Sequence, residues 1–217
     1  MSAKTVRIDA EHPDSRVIER AARLIANGKV LVCPTDTGYA FSANALDVRA
    51  VARVFSLKSR DYNNPIHVAV SSIEEAAMYA HVNDTARRLA RRFLPGALTL
   101  VLPKKETIPS LLVGGRDTVG IRIPDNKIIL GLAQMSGVPL TATSANISGR
   151  PTPYAVGEIV AQLGEAIKNV SLVLDQGQLA VHELSTIVDL AVSPPQLIRQ
   201  GRVSWLEIRE TLRGFTG

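Results

Sequence analysis

The sequence predicts an α/β fold, a single domain built on a twisted, mixed β-sheet flanked by helices. Three observations carry that expectation. Short apolar runs interleave with amphipathic stretches along the chain, though not in a strict β-α-β repeat. The 217 residues suit one large domain, and no repeat, low-complexity tract or linker divides them. Hydrophobic residues make up 46% and charged residues 21%, an ordinary balance for a folded soluble chain, and few aromatics leave a mainly aliphatic core. One domain over 1–217 is therefore expected, with its core at about 14–201 and a C-terminal helix at 204–213.

Residues 5–8 read as a short strand. Asp14 or Ser15 can cap a helix running to Asn27, with Gly28 as its stop, because Ile18, Ala21, Ala22 and Ile25 fall at helical spacing. Residues 29–33 read as a buried strand broken by Pro34, and 38–42 as extended chain. Asp47 opens a second helix with Val48, Val51, Ala52 and Phe55 inward. A strand over 65–70 precedes Ser72 and Glu75, a capping box starting a helix to about Ala80. Asn83 or Asp84 opens an arginine-rich helix that Pro95-Gly96 ends. Strands follow at 97–102 and 118–123, a helix at 126–136, extended chain at 138–143 and a helix at 155–163. Late strands fall at 172–174, 186–190 and 196–198. Ser204 with Glu207 makes a second capping box, and Trp205, Leu206, Ile208 and Leu212 are the packing candidates behind it.

Lys and Arg total 25 against 20 Asp and Glu, a net charge of +5 that favours anionic partners such as nucleotides or RNA. Arg87-Arg88 and Arg91-Arg92 repeat at i, i+4 as a basic helix edge, either an RNA contact or a solvated face. No apolar run nears the ~20 residues that span a bilayer, and the N-terminus lacks a signal peptide's basic region and apolar core. A cytoplasmic location is expected. The lone Cys33 excludes an internal disulfide and reads as a core residue. His12, His67, His81 and His182 show no metal-ligand spacing, and the chain has no G-x-x-x-x-G-K-[ST], G-x-G-x-x-G, paired C-x-x-C or G-x-S-x-G pattern.

Three polar loops beside apolar runs suggest a basic concave pocket for a small polyanion. Lys58 and Arg60 follow a helix and precede Asn63-Asn64-Pro65. In a loop they can converge on one anion, Lys as a point charge and Arg as a planar fork; at a helix C-terminus they can equally be a solvated pair. Ser144 and Asn146 sit where an apolar strand gives way to a Gly/Pro turn, and either hold phosphate oxygens or bond their own backbone. Thr35 and Thr37 flank Asp36, as substrate hydroxyl contacts or as a capped turn. Arg122 interrupts an apolar strand and needs a partner, either a ligand anion or a structural carboxylate.

Together these strings resemble the YrdC-like family of threonylcarbamoyl-adenylate synthases. The resemblance rests on seven motifs in order: Pro34-Thr35-Asp36-Thr37-Gly38-Tyr39; Lys58-Ser59-Arg60 with Asn64-Pro65; Phe93-Leu94-Pro95-Gly96-Ala97-Leu98-Thr99; Val119-Gly120-Ile121-Arg122-Ile123-Pro124; Thr143-Ser144-Ala145-Asn146-Ile147-Ser148-Gly149; Ser185-Thr186-Ile187-Val188-Asp189; and Ile198-Arg199-Gln200-Gly201. It spans nearly the whole chain. Asp36, Ala40, Leu184 and Gln200 stand where Glu, Gly, Glu and Pro are commoner, and the Asp-Thr-Gly-Tyr string is similar to the YciO-like branch. The extra C-terminal domain of longer members is not expected here.

The resemblance implies formation of threonylcarbamoyl-AMP and pyrophosphate from L-threonine, bicarbonate and ATP, for N6-threonylcarbamoyl modification of adenosine in tRNA. It implies Lys58 and Arg60 as the catalytic cations on the triphosphate or carbamate, with Thr118, Ser144, Asn146, Thr152 and Arg199 around ATP. It implies Thr35, His67, Arg122, Ala142 and Ser185 around threonine. Mg²⁺ is expected with ATP, held through phosphates and water rather than a carboxylate cage. Expected partners are tRNA or other RNA, and the tRNA-modification proteins that transfer the group. Two alternatives stay open: a YciO-like paralogue with a different acceptor, and a nucleotide- or RNA-binding module without synthase activity.

Overall fold

Alternation along the strands explains how one sheet serves two cores. In the computed structural model, which describes residues 3–213, the strands are β1 (Thr5–Arg7), β2 (Leu31–Thr35), β3 (Gly38–Ser42), β4 (His67–Ala69), β5 (Leu98–Pro103), β6 (Thr118–Arg122), β7 (Leu140–Ser144), β8 (Leu172–Asp175), β9 (Thr186–Asp189) and β10 (Gln196–Arg199). They join in the order β1-β8-β2-β3-β7-β4-β6-β5-β9-β10. Pairs β1/β8, β2/β8, β4/β6 and β5/β9 are parallel, and the other five are antiparallel, so the sheet is mixed as expected.

Leu31, Cys33, Leu172, Leu174 and Ala69 point to one face, where they pack under α1 (Ser15–Ala26) and α5 (Lys127–Ser136). Their neighbours Val32, Val173 and Val68 point to the other face. There the larger core gathers α2 (Val48–Lys58), α3 (Ile73–Tyr79), α4 (Asp84–Phe93), α6 (Val156–Leu163) and α7 (Trp205–Arg213). Cys33 is fully buried, and burial pushes its thiol up to about 12, as befits a core residue.

Caps fall where the side-chain chemistry places them. Asp14, Asp47, Ser72, Asn83 and Asn126 each accept a backbone N–H at the start of a helix. The box at Ser204 is reciprocal: its N–H reaches Glu207, whose own N–H reaches Ser204 Oγ. The box at Ser72 is displaced by one residue, because Glu75 accepts from the N–H and hydroxyl of Ser71 instead.

Three readings of the sequence need correction, and one element is new. Pro34 does not break its strand. Opposite it, Tyr39 donates its N–H to Pro153 O (2.9 Å) and accepts Ala145 N–H (2.8 Å), both away from β2. Pro34 thus occupies a non-hydrogen-bonded pair with β3, and on its other side the β2/β8 register runs only over Leu31 and Val32, so the missing N–H interrupts neither ladder. Val48 is 52% exposed, and the inner face of α2 is Ala50, Val51, Val54 and Phe55. Leu206 is 56% exposed, so of the α7 packing candidates it faces solvent. A 3-10 segment, Gly164–Asn169, follows α6 unannounced. Among the described residues, no helix is long and apolar enough to cross a membrane.

Candidate active site

Strand registers build the floor of a cleft on the face that α1 and α5 leave open. Ser42, Ala142, His67 and Gly120 form one row across β3, β7, β4 and β6. Ala40 and Ser144 lie one row to one side, in line with Thr118; Ala69 and Arg122 lie one row to the other. Two rows separate Ser144 from Arg122, roughly 13 Å along the strands. The cavity over this floor has a volume of about 170 Å³. Its walls include Arg60, Arg122 and Arg199, and among the described residues no Asp or Glu lines it.

The first end is organised by Lys58. This residue is not in a loop: it is the last residue of α2. Ser59 turns the chain at φ 47° in the left-handed region and sends Lys58 and Arg60 different ways. Lys58 is 1% exposed. Its ammonium donates to Ser144 O, to Asn146 O (3.0 Å) and to Asn146 Oδ1 (2.8 Å), which matches its three N–H groups. Asn146 Oδ1 also accepts the Ser144 hydroxyl at 2.6 Å. Burial first, then the nearby Arg60, pull Lys58 down to about 7. Arg60 donates to Asn64 O and Pro65 O, both at 3.0 Å, and lines the cleft. Ser144 lines it too, whereas Lys58 and Asn146 support it from behind.

The second end is organised by Arg122. By register, Arg122 and the β2–β3 hairpin tip occupy opposite corners of the floor. Yet Arg122 Nη1 donates to Thr37 Oγ1 and Nη2 to Asp36 Oδ1, both at 2.6 Å. Sheet twist curls such diagonal corners toward each other, which makes the face concave. The Arg122–Asp36 pair is buried, its side chains 9% and 8% exposed. Nearby, Ser185 Oγ bonds Thr99 Oγ1 (2.9 Å), and Arg199 Nη2 donates to Ser185 O (2.8 Å). Gly201 backs onto the Leu184 and Ser185 carbonyls so closely that no Cβ fits.

His67 lies between the ends, on the bare backbone of Gly120, where a Cβ would meet its ring at 2.6 Å. Burial, then Arg199, Arg122 and Arg60, press His67 down to about 4, so the imidazole is uncharged at neutral pH. Of the residues expected in the site, Thr35, Arg60, His67, Arg122, Ala142, Ser144, Ser185 and Arg199 line one cleft. Thr118 lies by register at the Ser144 end, and Thr152 packs against Gly38 of the hairpin. Arg199, expected beside the nucleotide, sits with Ser185 at the Arg122 end. Arg122 already holds a structural carboxylate, the plainer of its two readings, while still facing the cleft. Sequence reasoning did not single out Thr99 or the space left by Gly120; a glycine amid β-branched strand residues was the available signal.

A family model named for the Sua5, YciO and YrdC proteins and described as telomere recombination matches residues 23–201. A putative threonylcarbamoyl-AMP synthase of Methanocaldococcus jannaschii is 42% identical over 191 residues, 88% of either chain. The threonylcarbamoyl-AMP synthase of Pyrococcus abyssi is 39% identical over 90% of this chain, which spans only 57% of that longer protein. The structure of P. abyssi Sua5 complexed with L-threonine superimposes with a TM-score of 0.89 at 37% identity, over 98% of this chain and 61% of the other. E. coli YciO superimposes with a TM-score of 0.83 at 27% identity, over 93% and 97%. With its fold, its cleft and its ordered motifs in agreement with these relatives, the chain belongs to the Sua5/YciO/YrdC family.

Proposed function

We propose that this protein is a threonylcarbamoyl-AMP synthase, a nucleotidyltransferase that joins L-threonine, bicarbonate and ATP and releases pyrophosphate. One observation carries the reading: a cleft whose walls hold three arginines, one of them paired with Asp36, and no Asp or Glu among the described residues, with His67 between its two ends. The reaction brings anions together, so such a site lowers repulsion by fixed positive charge rather than by a covalent nucleophile.

In this reading the threonine carboxylate docks at Arg122, with Thr35, Ser185, His67 and Ala142 around the amino acid. The amine loses a proton and gains a carboxyl group from bicarbonate, releasing water. The carbamate oxygen then attacks the α-phosphorus, and pyrophosphate leaves. Arg60 donates to phosphate oxygens, and the Ser144 hydroxyl reaches one by turning its proton from Asn146 Oδ1, while Lys58 holds the Ser144 and Asn146 backbone in place. Thr118 borders the same end, while Arg199 stays with Ser185 at the amino-acid end. Mg²⁺ enters as part of the nucleotide substrate. In this reading the ion is held by phosphates and water. The product would serve N6-threonylcarbamoyl modification of tRNA in the cytoplasm, passed on by tRNA-modification proteins; the net charge of +5 suits RNA contact.

Pyrophosphate release, measured with ATP, threonine and bicarbonate and then with each omitted, tests the reading. Release that needs all three supports it. Release without threonine points to a paralogue with another acceptor, a reading that the exposed Leu184 on the cleft wall favours. RNA binding with no release points to a binding module.

A further inference from the structure

The hold of Asp36 on Arg122 is incomplete in a way that points to use. An arginine carries five N–H groups, and only two of those on Arg122 have partners, Thr37 Oγ1 and Asp36 Oδ1. Nε and Nη2 form one edge of the fork. A carboxylate that faces that edge squarely accepts from both. Here Nη2 meets Oδ1, while Arg122 Nε and Asp36 Oδ2 are both buried with no hydrogen-bond partner. The pair is joined by one arm of two, and each buried group left unpaired is destabilising.

Asp36 also has somewhere to go. It lines a second cavity of about 440 Å³ beyond the hairpin, a space it shares with Asn126, Arg202, Asp125 and the Lys127–Glu11 ion pair (2.7 Å). Thr35 borders both that cavity and the cleft. The carboxylate thus stands between a buried guanidinium on one side and, on the other, an open space of mixed charge into which it can swing.

We propose that Asp36 is a positioning residue that acts as an internal competitor: its carboxylate occupies Arg122 in the ligand-free cleft and is displaced by the carboxylate of the amino-acid substrate. The latch rests on the synthase reading for the identity of that substrate. It keeps Arg122 compensated while the cleft is unliganded, and it makes amino-acid affinity the difference between two carboxylates competing for one fork.

Calorimetric titration of the full chain with L-threonine, and with L-threoninol, which lacks the carboxylate, tests the latch. Asp36→Asn keeps shape and the Nη2 acceptor but loses the competing charge. It should bind L-threonine roughly fivefold tighter, a gain set by one like-charge repulsion at short range. Its affinity for L-threoninol should not move. Asp36→Glu keeps the charge and reaches one methylene further, so it closes the second arm and should weaken L-threonine by roughly threefold. Opposite shifts confined to the carboxylate ligand establish the latch. Unchanged affinities, weakening in both variants, or equal shifts for L-threoninol overturn it. Should Asp36→Asn show no thermal transition, the Asp36→Glu arm decides alone. A wild-type chain that binds no threonine overturns the synthase reading and the latch with it. Wild-type binding that neither variant shifts overturns the latch only.

Discussion

The two ends of the cleft are built on opposite plans. At the Ser144 end a buried ammonium finds three oxygen acceptors, and every donor it owns is used. At the other end a buried guanidinium keeps three donors idle and leaves a carboxylate oxygen unpaired beside it. A fully satisfied network is rigid, because moving any member exposes another to an unmet bond. A half-satisfied one is ready to exchange partners. The contrast suits a reaction in which a triphosphate needs a fixed cradle and a small amino acid needs to be recognised.

The largest test of this contrast is Lys58→Met. Methionine fills much of the volume but leaves Ser144 O, Asn146 O and Asn146 Oδ1 without the ammonium. Stability should fall by roughly 2–4 kcal/mol in a denaturant titration. Pyrophosphate release should fall by roughly 100-fold or more, since the Ser144 loop loses its register on the phosphates. A variant with lost activity but full stability would make Lys58 a substrate contact rather than an anchor.

Gly120→Ala should act at the middle of the floor. The new methyl would stand 2.6 Å from the His67 ring and drive it into the cleft. Threonine saturation should weaken by roughly tenfold, while ATP saturation moves little. Equal weakening of both would mean the two ends are not separable. Thr99→Val is milder. It leaves the Ser185 hydroxyl without its 2.9 Å partner, should cost about 1 kcal/mol of stability, and should touch only the amino-acid side.

Legibility in the sequence follows the same divide. Elements announced by local chemistry were readable: the caps at Asp14 and Asp47, the helix start at Asn126, the box at Ser204, and the buried strand through Leu31 and Cys33. The motif strings brought together eight of the twelve expected residues in one cleft. What stayed hidden depends on long-range geometry. Nothing near Lys58 in sequence says that its partners lie at 144 and 146, more than eighty residues on. Nothing near Arg122 says that sheet twist will bring Asp36 to it across two intervening strands. Pro34 misled because its cost depends on which pair of the ladder it occupies, and register is not written locally.

The pH dependence of the Lys58 contribution separates the two plans most cleanly. Lys58 has an unfolded value near 10.5 and a folded value of about 7, lowered by burial and then by Arg60. Between those values the unfolded chain holds the extra proton, so the Lys58 contribution to stability should rise with pH from about 7 toward 10 and fall as pH drops back through 7. The slope cannot exceed about 1.4 kcal/mol per pH unit for one proton. Melting wild type and Lys58→Met in parallel over that range isolates it, because other titrating groups cancel in the difference. Two forces oppose each other here. Burial favours the neutral amine, which has two N–H groups; the three acceptors favour the ammonium, which has three. A rising difference means burial wins and the cradle runs one donor short until an anion arrives. A flat difference means the acceptors win, the ammonium persists, and the Ser144 end is as fully paired in solution as its distances imply.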